Sequence, residues 1–138
     1  MGIEENKETV RRYIKEILND LDYTHAEELM HEDFFGDQGK IKGIEAHEKN
    51  FKAQREHIPD GANHLQEMIA EGDKVVAISM LTSTDTAGYY GNPPTGKPVE
   101  CKVMVVYTLK DGKIVKGEPL SDRMGICRQL GLTNLKFN

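Results

Sequence analysis

Apolar residues first recur at helical spacing. Val10, Ile14, Ile17 and Leu21 fall on one face, with Tyr13 and Leu18 beside them. Asn6 is placed to cap this run and Glu8 to sit in its positive first turn, so the pattern predicts an amphipathic helix from Asn6 to about Asp20. A short second helix is expected over Thr24–Met30, with Ala26, Leu29 and Met30 turned inward. A brief strand over Glu32–Phe35 follows, broken by Gly36-Asp37-Gln38-Gly39. Gly43 opens a third helix to about His57, whose one-sided positions are Ile44, His47, Phe51, Gln54 and Ile58. That face is partly polar. Either His47 and Gln54 meet solvent at the rim, the commoner case, or they line a cavity where polar groups orient a ligand.

Beyond Pro59-Asp60-Gly61 the period changes from helical to alternating. Strands are predicted over Asn63–Ala70 and Val75–Thr84, separated by the turn Glu71-Gly72-Asp73. A loop rich in Gly and Pro leads to the clearest strand, Val99–Leu109. There Val99, Cys101, Val103, Val105, Tyr107 and Leu109 share one apolar face, with Glu100, Lys102 and Thr108 opposite. Asp111-Gly112 is a hairpin signal. The last strand carries Pro119, which cannot donate to a ladder and so marks a bulge or an edge. Helices first and long strands afterwards predict an α+β fold, with N-terminal helices packed on one face of a curved, mostly antiparallel sheet. Such a sheet curls into a cone, and the mouth of a cone is a natural small-molecule pocket.

The chain has 138 residues, which is one domain with a sizeable core, and no segment reads as a repeat or linker. Its net charge of -5, with no basic face, disfavours nucleic acid as a partner. No apolar run approaches the length needed to span a bilayer, so no membrane partner is expected. The polar, acidic start MGIEENKETV does not read as a secretory signal. The two cysteines, Cys101 and Cys127, have no metal or redox spacing and read as buried thiols in a reducing, cytoplasmic compartment.

The candidate chemistry lies in Ile114–Gly131, where a strand passes into a short helix with Asp122 at the junction. Met124, Ile126 and Leu130 follow it. A carboxylate fenced by apolar side chains loses hydration, which raises its pKa and suits it to moving protons near neutral pH. The plainer role is helix capping, and this stretch alone favours the cap.

Taken together, Pro59-Asp60, Glu71-Gly72-Asp73, Gly91-Asn92-Pro93-Pro94-Thr95-Gly96-Lys97, Asp111-Gly112-Lys113-Ile114-Val115 and the terminal Asp122 with Arg128-Gln129-Leu130-Gly131 resemble the SnoaL-like polyketide cyclases. These belong to the NTF2-like, or cystatin-like α+β barrel, superfamily. The resemblance spans nearly the whole chain. It implies a cone-shaped barrel with a deep pocket, a homodimer built through the sheet, and an intramolecular aldol ring closure that uses no metal and no organic cofactor. One aspartate on the last strand moves the proton, and Asp122 matches it. With the resemblance, the catalytic reading of Asp122 overtakes the capping one.

The chain also departs from that pattern. Where family members commonly carry a histidine after the first short strand, Asp37 stands here. Where they carry one at the end of the strand closing near Thr84, Asp85 stands. Glu118 occupies the position of a common tryptophan. By alternation Glu118, Leu120 and Asp122 share a face, so the pocket is expected to hold Glu118 beside Asp122. Asp37 and Asp85 read more simply as solvated loop residues. A cluster of carboxylates would raise one another's pKa and suit a cationic ligand. His47 and Tyr13 are further candidates for ligand contact. The five histidines have no recognised metal spacing, so no metal site is expected. The leading reading is cofactor-independent acid/base chemistry on a small carbonyl compound, as in a cyclase, isomerase or lyase. The alternatives are a small-molecule binding protein without chemistry and an interaction module.

Overall fold

The computed structural model describes residues 2–136. The chain begins with α1 (Ile3–Arg12), which runs without a break into a π-helical segment, Tyr13–Asn19. Then come α2 (Ala26–Leu29), β1 (Met30–Gly36), a two-residue β2 (Ile41–Lys42) and α3 (Gly43–His57). The second half is β3 (Ala62–Glu71), β4 (Lys74–Thr84), β5 (Pro98–Lys110), β6 (Lys113–Ser121) and α4 (Arg123–Leu130). The six strands form one sheet in the order β2-β1-β6-β5-β4-β3, antiparallel except where β1 runs parallel to β6. This is the expected cone-shaped α+β barrel of the NTF2-like kind.

The first helix starts earlier than its periodicity suggests. Gly2 is the extended cap residue, and Glu4 and Glu5 occupy the positive first turn. Asn6, expected to cap the helix, lies inside it and is buried. The second helix is a single turn, and Met30 already belongs to β1. The third helix spans the predicted Gly43–His57.

Two apolar clusters fill the cone. The larger joins Val10, Tyr13, Ile14 and Ile17 of the first helix to Phe34, Val75, Ala77, Tyr107, Leu109 and Ile114 of the sheet. The smaller joins Val99 and Cys101 of β5 to Ile126 and Leu130 of α4. Strand β5 therefore runs from one cluster to the other. Val103 and Val105 lie between them on the inner face.

One irregularity decides which side chains of β6 face inward. Leu109 pairs with Ile114, but Thr108 pairs with Lys116, so Val115 is an extra residue with no partner on β5. A one-residue bulge reverses the facing of everything beyond it. Ile114 is buried in the core, yet further along it is Gly117, Pro119 and Ser121 that pair with the inward Tyr107, Val105 and Val103. Glu118, Leu120 and Asp122 lie on the outer face. The predicted shared face of those three is real, but the bulge turns it away from the interior.

Pro119 sits at a local edge. Pairing of β6 with β1 stops at Lys116. The Asp122 N–H bonds the Lys102 carbonyl, so even positions of β6 bond to β5 and the Pro119 nitrogen faces the free side. Both Asp111 and Gly112 have positive φ, as a two-residue hairpin with the strand twist requires. Cys101 and Cys127 are both free and buried, as expected. No helix among the described residues is long and apolar enough to cross a membrane.

Candidate functional site

A cavity of about 560 Å³ opens between the two clusters. That volume falls in the range of sites for drug-sized molecules. Its walls come from the inner face of β5, the inward positions of β6, the π-helical segment and one face of α3. Most of the lining is apolar. Among the described side chains it contains no aspartate or glutamate, and its formal cations are Arg55 and Arg123.

The polar centre of this wall is His47. Its position on α3 places it, Phe51, Gln54 and Ile58 on the cavity side. His47 is fully buried, stacked on Phe51 with ring centroids 4.3 Å apart, and meets Phe34 edge-on. The Tyr13 hydroxyl lies 2.7 Å from Nε2, and the Tyr23 hydroxyl 2.7 Å from Nδ1. Burial lowers the His47 pKa to about 4, so the ring is neutral at pH 7. A neutral imidazole carries one N–H and one lone pair. One phenol must therefore donate to the ring while the other accepts from it and keeps its own hydrogen for a further partner.

Tyr13 and Tyr23 differ in what that hydrogen can reach. Tyr13 is buried, lines the cavity and meets Tyr107 edge-on at 5.5 Å. Burial drives its pKa well up, with the neighbouring phenols adding to the rise. Tyr23 is half-buried, outside the cavity lining, and its pKa is also raised, chiefly by burial. The three side chains thus connect the cavity wall to a partly exposed phenol.

Tyr13 is the first residue of the π-helical segment. The wider turn ends in i→i+5 and i→i+6 bonds, from Asp20 N–H to the Lys15 carbonyl and from Asp22 N–H to the Glu16 carbonyl. Arg55 donates to the carbonyls of Leu18 and Asn19 at 3.0 and 3.1 Å, satisfying groups at the end of the segment. Nearby, Asn19 and Asn63 exchange hydrogen bonds, and the Asn63 side-chain oxygen, in the cavity wall, is buried without a partner among the described residues. The periodicity of the first helix contains no sign of the π turns, which are frequent at functional sites.

Other expected site residues lie elsewhere. Asp122 caps α4: its carboxylate accepts the Gly125 N–H at 2.9 Å, its side chain is 51% exposed, and it is absent from the cavity lining. A Cβ on Gly125 would stand 2.4 Å from that carboxylate, so the Asp-x-x-Gly spacing serves the cap. The catalytic role implied for Asp122 gains no support from this position. Glu118 points outward and pairs with Lys116 at 2.9 Å.

Asp85 is neither solvated nor in the cavity. It is 1% exposed and accepts from the N–H of Gly88, the N–H of Thr95 and the Thr95 hydroxyl, tying together the loop that follows β4. The Asp37 side chain lies outside the described residues. The expected acidic pocket is thus replaced by one whose described lining is neutral or cationic. Sequence reasoning passed over Arg123, Arg55 and Tyr23. The signal for Arg123 was its place next to Asp122, since neighbours in an extended segment face opposite ways.

A six-stranded sheet rolled around a helix, with a third helix and a C-terminal helix bounding an apolar cavity, defines a cone-shaped α+β barrel. The chain belongs to the SnoaL-like polyketide cyclase family, whose pattern matches residues 8–130. A SnoaL-like polyketide cyclase from Agrobacterium tumefaciens is 18% identical, with a TM-score of 0.82 over 95% of this chain and 100% of that one. IdmH, a candidate polyketide cyclase from Streptomyces antibioticus, is 23% identical, with a TM-score of 0.77 over 92% and 99%. AclR from Streptomyces galilaeus, a candidate hydroxylase, is 19% identical, with a TM-score of 0.75 over 94% and 87%. At these identities the likeness establishes the fold alone, and the fold hosts more than one chemistry. No curated protein sequence matches the chain.

Proposed function

We propose that the chain is a cofactor-independent enzyme that closes or rearranges a small polycarbonyl compound in this cavity, with Tyr13 as general acid. The observation that carries the reading is the hydrogen-bonded chain Tyr13–His47–Tyr23 set in an otherwise mostly apolar wall. In a ring closure, the enol of a 1,3-dicarbonyl unit attacks a second carbonyl. The enol gives its O–H proton to water as its own carbonyl re-forms. The attacked oxygen gains a proton from Tyr13, Tyr13 from Nε2, Nδ1 from Tyr23, and Tyr23 from solvent. His47 changes tautomer and stays neutral, and the proton given to water leaves to the solvent, which replaces it at Tyr23. A preorganised donor aimed at developing oxyanion charge is the kind of group that contributes most to such steps.

The test is turnover of polycarbonyl substrates by Tyr13→Phe, Tyr23→Phe and Asp122→Asn variants. Loss of one such donor typically costs about 10²–10³ in kcat. Tyr13→Phe is expected to show that loss with little change in binding, and Asp122→Asn to stay near the parent. A normal rate in Tyr13→Phe would sink the assignment. The outward position of Asp122 favours a second reading, a binding protein without chemistry. Tight binding with no turnover in any variant supports that reading instead. In either case we propose a homodimer through the outer face of the sheet, where Met104 and Leu120 pair and stand 45% and 78% exposed.

A further inference from the structure

The charge of the cavity lining runs against the charge of the protein. The chain carries 23 acidic against 18 basic side chains. The described cavity wall nevertheless holds two arginines and no carboxylate. The two arginines are not equivalent. Arg55 already spends part of its guanidinium on the Leu18 and Asn19 carbonyls. Arg123 has no ion pair among the described residues, although the carboxylate of Asp122 is its neighbour in sequence and pairs instead with Arg128 at 3.8 Å. Arg123 is also the first residue of α4, the end of a helix that disfavours a cation, so helix stability does not account for it. Its charge acts on Tyr90, another lining residue, lowering a phenol pKa that burial raises.

Arg123 and Tyr13 belong to opposite ends of the cavity. Ser121, two residues before Arg123, pairs with Val103, whereas Tyr13 packs on Tyr107. Four residues of β5 separate those anchors, roughly 13 Å along the strand. Val103 and Val105 give the wall between them an apolar surface.

We infer that the ligand of this cavity is a two-ended amphiphile, with a carboxylate held by Arg123, an apolar body along Val103 and Val105, and a carbonyl directed to Tyr13. An arginine fork matches a carboxylate bidentately, and a cavity wall without acids leaves that charge unopposed. This rests on the reading of the cavity as a ligand site, and the experiment separates the two.

The experiment uses the full chain and two probes of one shape, 2-naphthoate and its methyl ester, titrated by amide chemical-shift changes. Naphthoate is expected to bind at least about tenfold more tightly than the ester, the effect of one charge-assisted hydrogen bond. Arg123→Gln is expected to abolish that preference while leaving affinity for the ester unchanged. Arg123→Lys should restore only part of it, since an ammonium lacks the fork. Equal binding of acid and ester by the parent protein, or a preference that survives in Arg123→Gln, overturns the inference and leaves the cavity reading intact. Binding of neither probe overturns both. Arg123 is exposed and outside the α4 capping contacts, so Arg123→Gln is expected to fold normally.

Discussion

The Tyr13 hydroxyl lies 2.7 Å from Nε2 of His47, although 34 positions separate the two residues along the chain. The contact joins the π-helical segment to α3 across the interior, and Tyr23 closes it from the other side at Nδ1. A fully buried imidazole with both nitrogens engaged is held in orientation and kept neutral.

The first prediction concerns acid stability. The folded His47 pKa is about 4, below its ordinary 6.5. The unfolded chain therefore takes up a proton that the folded chain refuses. The contribution is fully present above pH 6.5 and falls as the pH drops from there toward 4. About 2.5 pH units of difference correspond to at most about 3 kcal/mol. Urea denaturation across that range, compared with His47→Gln, should show the slope only in the parent. An imidazole that titrates near 6.5 in the folded protein by NMR would contradict it.

Asp122 is expected to behave as a cap. Asp122→Ala should cost about 1 kcal/mol, and Asp122→Asn almost nothing, since asparagine caps as well. Gly125→Ala would gain about 1 kcal/mol in an open helix interior. Here the added Cβ meets the Asp122 carboxylate and the gain should vanish. Chemical denaturation of the three variants checks this. A large loss in Asp122→Asn would mean that the carboxylate charge has another role.

Asp85→Ala removes the acceptor of three hydrogen bonds from a buried loop junction. A destabilisation of about 2–4 kcal/mol is expected from the stranded donors. Limited proteolysis should show cleavage appearing between residues 86 and 96. A variant with unchanged melting and unchanged cleavage would refute the anchoring role.

The proposed dimer face predicts that Leu120→Glu shifts the protein to monomer without loss of fold. Leu120 is among the most exposed large apolar residues, so the change removes little from the core. Sedimentation equilibrium at micromolar concentration reads the outcome, and a parent protein that is already monomeric counts against the interface.

Much of the fold was legible because local chemistry and burial agreed. The alternation from Val99 to Leu109 marks the inner face of β5 residue by residue, and Asp111-Gly112 marks its hairpin. Asp85 was misread because a carboxylate in a polar loop has the same local signature whether solvent or its own loop satisfies it. The π-helical turns were invisible because Ile14, Ile17 and Leu18 fit ordinary helical spacing. The facing of β6 escaped the sequence for one reason above others. Ile114-Val115-Lys116 reads as unbroken strand, and nothing in those side chains announces that Val115 lacks a partner. The family match placed Asp122 inward, alternation brought Glu118 in with it, and Arg123 was left out.

That unpaired valine acts as a parity switch. In a strand of the same length without the bulge, Val115 would pair with Thr108, and even alternation from Ile114 would swing Glu118 and Asp122 through the sheet, exchanging a cation-bearing lining for an acidic one. One residue of register thus separates two ligand preferences on a single scaffold. Relatives that pair this strand with and without the bulge at equal length need not share substrates, even where every other strand superposes.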